Sequence, residues 1–438
     1  MFRPPLKSEV ALAVCFLFII FGAPIAQICF QLSRGERAQL SDLIRYPPTE
    51  KNLRQFERTL KEQSWFEQRL RPVMQQFLFR TVKDTGSKAM MGRDGWLFYR
   101  PDSRYVVEPD RLDGHDKETW VQPANGTRQD SVARAIAHFR DQLRERGIEL
   151  LVMPVPGKPS VYPDMLWRTG SAGGKGAYSP TLEFIHKLEM QGVKTVDLFT
   201  LFSRLREENR SDYFYYLSRD THWTPVGAKL AAEAAAQKLR ALGWAPKPTQ
   251  EYRASKVWVK RYGDILEMLQ YRGKQNSLMG EDVECEQVID NTAGLITSSD
   301  MERPGTYRYP GEQSSVLVLG DSFLRIYQNR EPQSLGEIVN PTADPERGGG
   351  REGKTTTRLL PGSAGFLSHL AFSLRAPLDF IISDGGASTD VRRSLSTNPE
   401  ILEGKKVVIW EFVERDIQLG RAGWQDVPLP PTLGASGP

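Results

Sequence analysis

Residues 315–323 read Ser-Val-Leu-Val-Leu-Gly-Asp-Ser-Phe, and the rest of the chain is best interpreted around this stretch. The four apolar residues Val316–Leu319 predict a short strand that is buried on both faces, as in a parallel sheet. Gly320 permits a tight turn, and the residues after it contain no helix breaker. Ser322 is therefore predicted to lie between the carboxyl end of a buried strand and a helix start, where open α/β sheets bind ligands.

Ser322 at such a turn has two interpretations. The N–H groups at a helix start carry partial positive charge and suit a developing oxyanion, so that Ser322 could act as a nucleophile if a base reached it. In the alternative, Asp321 or Ser322 only caps the helix. The catalytic interpretation requires a base and an acid elsewhere in the chain.

The segment Arg219–Gly227 supplies both. It contains a Thr-Pro pair that suits the N-cap and first position of a helix, and the Ala-rich sequence beyond the pair favours that helix. Asp220 and His222 precede the helix, and in an extended segment residues i and i+2 point the same way. Asp220 can then fix the tautomer of His222 and leave the second ring nitrogen to take the proton of Ser322. The alternative is a structural ion pair, and no further ligand cluster supports a metal site here.

Short apolar strands alternate with amphipathic helices from residue 131 onward. This alternation predicts an α/β fold with a mostly parallel sheet and helices on both faces. The predicted helices are Ser131–Arg146, Pro180–Gln191, Pro225–Leu242 and Phe366–Leu374. The predicted strands are Ile148–Val155, Val193–Leu198, Val316–Leu319, Leu378–Ser383 and Val407–Phe412. Residues 250–312 fit the alternation less well and are interpreted as an insertion or edge region.

Composition excludes several function classes. The chain has 438 residues with 58 basic and 54 acidic side chains, a net charge of +4, and no basic stripe typical of nucleic-acid binding. Of its three cysteines, Cys15 and Cys29 lie in an apolar N-terminal run and only Cys285 lies outside it. The part of the chain beyond that run therefore cannot form an internal disulfide. We predict no cofactor, no metal and no nucleic-acid partner.

The apolar run Val10–Phe30 is interrupted only by Gln27, Gly22 and Pro24, and it is long enough to span a bilayer as a helix. Its length and its poor cleavage site favour an uncleaved anchor over a cleaved signal peptide, with the C-terminal bulk outside the cytoplasm as the preferred orientation.

We therefore divide the chain into four parts. Residues 1–34 are a cytoplasmic stub and transmembrane signal-anchor. Residues 35–90 are a helical stalk or N-terminal extension, because apolar residues recur near helical spacing over 48–83. Residues 91–420 are the main α/β domain. Residues 421–438 are rich in Pro and Gly and are predicted to be a disordered tail.

The segments Gly320–Phe323 and Asp220–Trp223 together resemble the SGNH-hydrolase-like alginate O-acetyltransferase family, the AlgJ/AlgX group. Further matches follow in the expected order: Gly92–Tyr99, Pro154–Lys158 with Tyr162, Gly263–Leu266, Gly365–Leu367, and Trp410–Phe412 with Arg415. The resemblance implies an SGNH-like, flavodoxin-like fold and a Ser-His-Asp triad in which the acid and the histidine precede the serine. It also implies a periplasmic domain, anchored in the bacterial inner membrane by a single helix, that acetylates an exported polysaccharide. A membrane-bound O-acyltransferase partner would supply the acetyl group.

On this interpretation Ser322 is the nucleophile, His222 is the general base and then the acid, and Asp220 orients the histidine. An acetyl-serine intermediate passes its acetyl group to a sugar hydroxyl. Two other functions stay open: a carbohydrate esterase that uses the same triad with water as acceptor, and a non-catalytic, membrane-anchored scaffold of an exopolysaccharide assembly complex.

The remaining site residues are predicted in two groups. The candidate oxyanion donors are the Ser322 backbone N–H, Gly385, Gly386 and Arg325. The candidate sugar-binding residues are Lys158, Tyr162 and Trp223. For the glycines the alternative is an ordinary turn, and for the last three it is a packing or surface role.

Overall fold

The structure is a computed structural model in which two compact units are distinguished, residues 1–86 with 269–272 and residues 87–268 with 273–438. It describes residues 7–64, 73–74, 77–78, 81, 85–107, 128–166, 180–208, 214–269, 280–290, 294–295, 306–307, 314–328, 336–339, 363–419 and 423–430.

The first unit is helical over its described residues. Its helices are α1 (Lys7–Ser33), α2 (Asp42–Arg45) and α3 (Glu50–Gln63), with a 3-10 turn at Gln39–Ser41. Among the described residues, α1 is the one helix whose length and composition suit a membrane span, with a mean hydropathy of 2.4 over Val10–Ser33. Thr49 caps α3 by accepting a hydrogen bond of 3.3 Å from the Asn52 N–H. Most of the predicted 48–83 helix beyond α3 lies outside the described residues.

The second unit contains twelve strands within the described residues. They are β1 (Ala89–Met91), β2 (Leu97–Tyr99), β3 (Glu149–Val155), β4 (Lys194–Thr195), β5 (Tyr252–Arg261), β6 (Glu281–Asp290), β7 (Gly294–Leu295), β8 (Thr306–Tyr307), β9 (Val316–Gly320), β10 (Gly336–Val339), β11 (Asp379–Ile382) and β12 (Val407–Val413). Six of them form the main sheet in the order β4-β3-β12-β9-β11-β8, and β1 and β2 form a separate two-stranded sheet. All neighbours in the main sheet are parallel except β8, which is antiparallel to β11.

The order of the parallel strands determines what surrounds Ser322. Counted along the chain it is 2-1-5-3-4, whereas flavodoxin has 2-1-3-4-5. The last strand, β12, is inserted between β3 and β9, so β9 lies in the middle of the sheet with β12 and β11 on its two sides. The predicted α/β fold with a mostly parallel sheet is confirmed, but its strand order is not the flavodoxin order that was also predicted.

Helices of the second unit cover both faces of the main sheet. They are α4 (Arg100–Val107), α5 (Arg128–Arg144), α6 (Lys158–Val161), α7 (Pro163–Leu166), α8 (Pro180–Met190), α9 (Leu198–Glu207), α10 (Pro225–Ala241), α11 (Asp264–Met268), α12 (Ser322–Arg325), α13 (Phe366–Leu374), α14 (Asp390–Thr397) and α15 (Asp416–Leu419), with 3-10 turns at Arg93–Gly95 and Pro399–Leu402. Side chains of β9 alternate between the faces: Val316 and Val318 join the core that includes the α10 alanines, and Leu317 and Leu319 join the core that includes Phe139 of α5.

The predicted elements agree with the observed ones except at two places. The first is the strand predicted over Val193–Leu198, which is observed only as Lys194–Thr195. A helix begins instead at Leu198, because the Asp197 side chain accepts a hydrogen bond of 2.9 Å from the Thr200 N–H and caps it.

The second is the tail. The prediction of disorder from residue 421 is wrong for residues 423–430. Trp424 is only 8% exposed, its ring lies 5.5 Å from Trp410 and 5.0 Å from Phe412, and its Nε1 donates to the Asp416 carbonyl at 2.7 Å. Apolar residues of this segment, Trp424 and Leu429 among them, pack against the core. The prediction was wrong because it used the high Pro and Gly content of the tail and overlooked these apolar residues. Residues 420–422 and 431–438 lie outside the described residues.

A smaller sheet takes three of its strands from residues 250–312, the region that fitted the alternation poorly, and the fourth, β10, from residues 336–339. Its order is β10-β5-β6-β7 with antiparallel neighbours, and β5 pairs with β6 over ten residues from Tyr252↔Asp290 to Arg261↔Glu281. One face contributes Val259 and Cys285 to the core, and the other is largely exposed. The end of β5 delivers Arg261 toward the carboxyl edge of the main sheet, as described below.

Trp424→Ala is expected to lower the free energy of unfolding by about 3 kcal/mol, because it removes a buried aromatic side chain that packs against two others. The measurement is urea unfolding of the full chain in detergent. Asp426→Ala is the matched control, since the Asp426 side chain is 69% exposed and its ion pair is with the surface residue His138, so its effect should stay below about 1 kcal/mol. Equal stability of the two variants would contradict the packing of this segment.

Candidate active site

Ser322 lies at the turn between β9 and α12, as predicted. Asp321 caps α12 by accepting a hydrogen bond of 2.9 Å from the Phe323 N–H. The capping interpretation is therefore correct for Asp321, and it leaves the Ser322 hydroxyl available for another role. Position 320 requires glycine, because a Cβ there would approach Glu411 Oε2 to 2.3 Å and Leu324 Cδ1 to 2.5 Å. The Ser322 side chain is left partly exposed at the carboxyl edge of the sheet.

A continuous relay of hydrogen bonds joins the two segments identified in the sequence. His222 Nε2 lies 2.8 Å from Ser322 Oγ, and His222 Nδ1 lies 2.7 Å from Asp220 Oδ1. The His222 backbone N–H also donates to Asp220 Oδ1 at 3.0 Å. Because an ionised Asp220 accepts from Nδ1, Nε2 is the nitrogen that accepts from the Ser322 hydroxyl. The structure thus brings together three side chains from segments a hundred positions apart.

Two residues that sequence reasoning missed support Asp220 from the end of β5. Arg261 Nε donates to Asp220 Oδ2 at 3.1 Å, and the Asp264 backbone N–H donates to the same oxygen at 3.2 Å. Burial raises the pKa of Asp220, but Arg261 and His222 outweigh burial and hold that pKa well below its ordinary value. Gly263 makes this approach possible: its φ is +84°, and a Cβ would lie 2.3 Å from the Arg219 carbonyl oxygen. The only sequence signal was the family-like segment Gly263–Leu266.

Asp264 places a second carboxyl beside the imidazole. Its oxygens accept from the Thr221 N–H at 2.7 Å and from the Thr221 hydroxyl at 2.6 Å, and Oδ2 lies 3.7 Å from His222 Nδ1. Burial and the neighbouring Asp220 raise the pKa of Asp264 to about 7. Burial lowers the pKa of His222, but Asp220, with Asp264, outweighs burial and raises it above the ordinary 6.5. The histidine is therefore a stronger base than an isolated imidazole.

Asp220, His222 and Asp264 also offer three ligand atoms within 4.8 Å of one another, so we tested this group as a cation site. The atoms that would bind a cation already take part in hydrogen bonds within the protein. Asp220 already accepts hydrogen bonds at both oxygens, from His222 Nδ1 at Oδ1 and from Arg261 Nε at Oδ2, and its charge is offset by the Arg261 guanidinium. The arrangement suits proton transfer from Ser322 better than cation binding.

Lys158 does not line a sugar cleft, so that prediction is wrong. The side chain is fully buried, and its Nζ donates to the carbonyl oxygens of Leu217 at 2.9 Å, Ser218 at 3.1 Å and Asp220 at 2.7 Å. Burial lowers its pKa to about 8. Lys158 therefore satisfies carbonyl groups of the loop that carries Asp220, a role that residue type alone does not indicate.

Tyr162 and Trp223 are also buried, at 2% and 0% exposure, so the sugar-contact prediction is wrong for them too. The Tyr162 hydroxyl accepts from the Tyr215 N–H at 2.8 Å. The Trp223 ring stacks on Phe366 and meets Phe323 edge-on, with centroids 5.9 Å and 5.1 Å away. Both residues pack in the core next to the loop that carries Asp220, and large aromatic side chains stabilise the structure most when they are removed from water.

The turn that contains the candidate oxyanion glycines lies beside Ser322. The Ser383 N–H donates to the Gly320 carbonyl at 3.0 Å, which joins this turn to the end of β9. The Gly386 N–H donates to the Ser383 carbonyl at 2.9 Å. Because this N–H is already bonded within the turn, Gly386 is a turn residue and we do not propose it as an oxyanion donor. Gly385 has φ +68°. Arg325 Nε donates to Asp384 Oδ1 at 2.8 Å, which ties α12 to the same turn.

The family comparison matches the region just described. A family model described as "SGNH hydrolase-like domain, acetyltransferase AlgX" matches residues 89–330, which is more than half of the chain. The chain belongs to this family. The matched region includes Asp220, His222, Arg261, Asp264 and Ser322. The resemblance to the AlgJ/AlgX group is thereby confirmed.

Individual relatives are distant. The chain is 22% identical over 232 residues to "Probable alginate O-acetylase AlgJ" of Pseudomonas aeruginosa, covering 52% of this chain and 53% of that one. It is 29% identical over 174 residues to "Alginate biosynthesis protein AlgX" of the same organism, covering 38% of this chain and 31% of that one. The chain thus spans about half or less of these relatives. The solved structure of P. aeruginosa AlgX shares the fold, with a TM-score of 0.50 at 20% identity over 78% of this chain and 66% of that one.

A buried acidic cluster lies beneath the Ser322 turn, and its members Glu411 and Arg415 lie beyond the region that the AlgX family model matches. Glu411 of β12 is fully buried, and its Oε2 accepts from the Asp321 N–H at 3.0 Å. Arg415, which pairs with Asp102 at 2.7 Å, is the cation of this cluster. Burial and the nearby Asp321 raise the pKa of Glu411 well above its ordinary value of 4.5. Burial therefore favours the protonated form of Glu411 more than in an exposed glutamate, while its Oε2 holds the turn through the Asp321 N–H.

Glu411→Gln is expected to make the free energy of unfolding less dependent on pH. A carboxyl whose pKa is higher in the folded than in the unfolded chain binds more protons when folded, so its stabilisation is complete below the unfolded pKa and is lost as pH rises. The slope reaches about 1.4 kcal/mol per pH unit. Glutamine keeps an acceptor for the Asp321 N–H but does not titrate.

Urea unfolding of the full chain at a series of pH values from about 6 to 8 measures this slope. The exposed Glu403→Gln is the control and should follow the parent protein. If Glu411→Gln also followed the parent protein across this range, folding would not raise the pKa of Glu411.

Proposed function

We propose that this protein is an O-acetyltransferase that moves an acetyl group, through an acetyl-serine intermediate, to hydroxyls of an exported polysaccharide. The observation that carries the proposal is the relay of 2.8 Å and 2.7 Å from Ser322 through His222 to Asp220. Membership of the AlgX family supports acetyl transfer as the class of reaction. The names of the relatives mention alginate, and we extend this to an alginate-like or other exopolysaccharide as the acceptor.

The first half-reaction acetylates the enzyme. Ser322 Oγ attacks the carbonyl carbon of the acetyl donor while His222 Nε2 takes the hydroxyl proton. Asp220 stabilises the imidazolium and stays ionised, because Arg261 and the Asp264 N–H hold its second oxygen. The bond to the leaving group then breaks, and the leaving group takes the proton from His222.

The second half-reaction uses the same groups in reverse. A sugar hydroxyl gives its proton to His222 Nε2 and attacks the acetyl carbonyl. The ester bond to Ser322 Oγ breaks, and the serine oxygen takes the proton back. We propose the Ser322 backbone N–H and Gly385 as donors to the oxyanion formed in both steps, since the turn of Gly385 is bonded to the end of β9.

The acetyl donor and the location follow from the same proposal. We propose that α1 anchors the chain in the bacterial inner membrane and that the second unit works in the periplasm. A membrane-bound O-acyltransferase is the proposed partner that brings acetyl groups across the membrane. The length and apolar composition of α1 support the anchor.

Ser322→Ala is expected to lower acetyl transfer by about 10³- to 10⁶-fold, because the members of a triad act as a unit. The assay supplies the full chain in detergent with p-nitrophenyl acetate and a polysaccharide acceptor, and follows both acetylated sugar and an acetyl group on the protein by intact mass. Ser394→Ala, on α14, is the matched serine control and should retain activity.

The assay also separates the rival functions. Release of acetate with no acetylated sugar would favour the esterase. Unchanged transfer by Ser322→Ala would refute the mechanism. If neither product forms and Ser322→Ala still supports polymer acetylation in cells, the scaffold function is favoured instead.

The pH profile tests the charge state of His222. Because only neutral imidazole accepts the serine proton, kcat/KM for p-nitrophenyl acetate should rise with pH through the pKa of His222, above the ordinary 6.5. Asp220→Asn removes the carboxylate that raises this pKa, so the ascending limb of its pH profile should move to lower pH. Its activity should be about 10⁴-fold lower than that of the parent protein. An unshifted ascending limb in Asp220→Asn would show that Asp220 does not set the pKa of His222.

A further inference from the structure

A second groove lies on the same unit as the relay but is lined by neither Ser322 nor His222. It has a volume of about 580 Å³ and runs between the first half of α10 and the exposed face of β5 and β6; we call it the α10 groove. Its size is in the range of small-molecule and oligomer sites in proteins. The mechanism above does not use it.

Two exposed aromatic side chains face this groove. Trp258 on β5 is 39% exposed and Phe214 is 52% exposed, although large aromatic residues are usually buried. An aromatic face left in contact with water near polar groups suits the C–H face of a sugar ring, which is apolar on one side and carries hydroxyls around its edge.

A buried histidine forms part of the floor of the α10 groove. His369 is 3% exposed, and its Nε2 has no hydrogen-bond partner among the described residues. Burial, together with the nearby Lys229 ammonium, lowers the pKa of His369 to about 4, so the ring is neutral at neutral pH. Since the ring also hydrogen-bonds the Ala364 backbone, Nε2 is an acceptor that a hydroxyl donor would satisfy.

The charges of the groove select against an anionic polymer. Its lining contains five carboxylates and two lysines. Both lysines are already paired, Lys229 with Glu286 at 2.7 Å and Lys256 with Glu284 at 2.6 Å. A third lysine beside the groove, Lys260, pairs with Asp282 at 2.7 Å, so the five carboxylates still outnumber the three lysines. This excess of acceptors and of negative charge attracts hydroxyl donors and repels carboxylates along a polyuronate.

We infer that the α10 groove binds a segment of a neutral glycan, with sugar rings stacked on Trp258 and Phe214 and hydroxyls donated to the carboxylates and to His369. That this glycan is the acceptor polymer rests on the proposed function. The inference makes the acceptor a neutral exopolysaccharide rather than a polyuronate such as alginate.

The test measures binding of three hexasaccharides to the full chain in detergent by isothermal titration: a neutral β-1,4-glucan, a β-1,4-glucosamine oligomer and an oligomannuronate. The neutral glucan is expected to bind, and the oligomannuronate is not. Trp258→Ala should weaken glucan binding by at least about tenfold, the change expected for loss of one aromatic contact. Phe214→Ala, at a position that is more exposed still, should act in the same direction.

Phe372→Ala is the matched control, because Phe372 is also 39% exposed but does not line the groove, and it should bind as the parent protein does. Equal melting temperatures of all variants establish that they fold. Three results would overturn the inference: oligomannuronate bound as tightly as the glucan, binding of the glucosamine oligomer alone, or glucan binding that survives both aromatic substitutions.

This test is independent of the catalytic proposal. Hydrolysis of p-nitrophenyl acetate by the parent protein reports on Ser322 without a glycan, and glucan binding by Ser322→Ala reports on the groove without chemistry. Turnover without glucan binding would refute the groove alone. Glucan binding without turnover would refute the transferase alone.

Discussion

The site depends on keeping Asp220 ionised while it is fully removed from water. An uncompensated buried carboxylate costs several kcal/mol, and it would become protonated instead and lose its hold on His222. Four donors remove that penalty: the backbone N–H and Nδ1 of His222, Arg261 Nε and the Asp264 N–H. Two of the four come from the end of β5 and the turn after it, so the smaller sheet is a condition for the relay and not an appendage to the main one.

The loop that carries Asp220 is held by three elements with different chemistry. Lys158 of α6 donates hydrogen bonds to carbonyl groups of the loop, and the absence of a side chain at Gly263 lets the end of β5 approach the loop backbone. Thr224, where the loop ends, caps the N-terminus of α10. None of these groups takes part in proton transfer. On the proposed function, they fix the position of the imidazole before a substrate binds, which limits reorganisation during the reaction.

The sequence predicted those elements of the fold that depend on residues close together in the chain. The apolar run before Gly320 and the Thr-Pro cap of α10 depend on neighbouring residues, so strand, turn and helix were predictable from them. Arg261 was not, because its partner is Asp220 and a pairing across forty positions leaves no periodic pattern. Lys158 and Trp223 were misassigned for the opposite reason: their types suggest sugar contacts, whereas packing decides whether such side chains reach the surface.

The strand order gives Ser322 two kinds of support with different origins along the chain. The acid-base side comes from Asp220, His222 and Arg261, which precede β9. The other side comes from β11 and β12, which follow it: the turn of Gly385 bonds to the end of β9, and Glu411 accepts from the Asp321 N–H. In the flavodoxin order the last strand lies at the edge of the sheet, too far to reach this turn. Inserting β12 beside β9 is what allows one buried acid to fix the serine turn, and the lack of room for a Cβ at Gly320 follows from the same insertion.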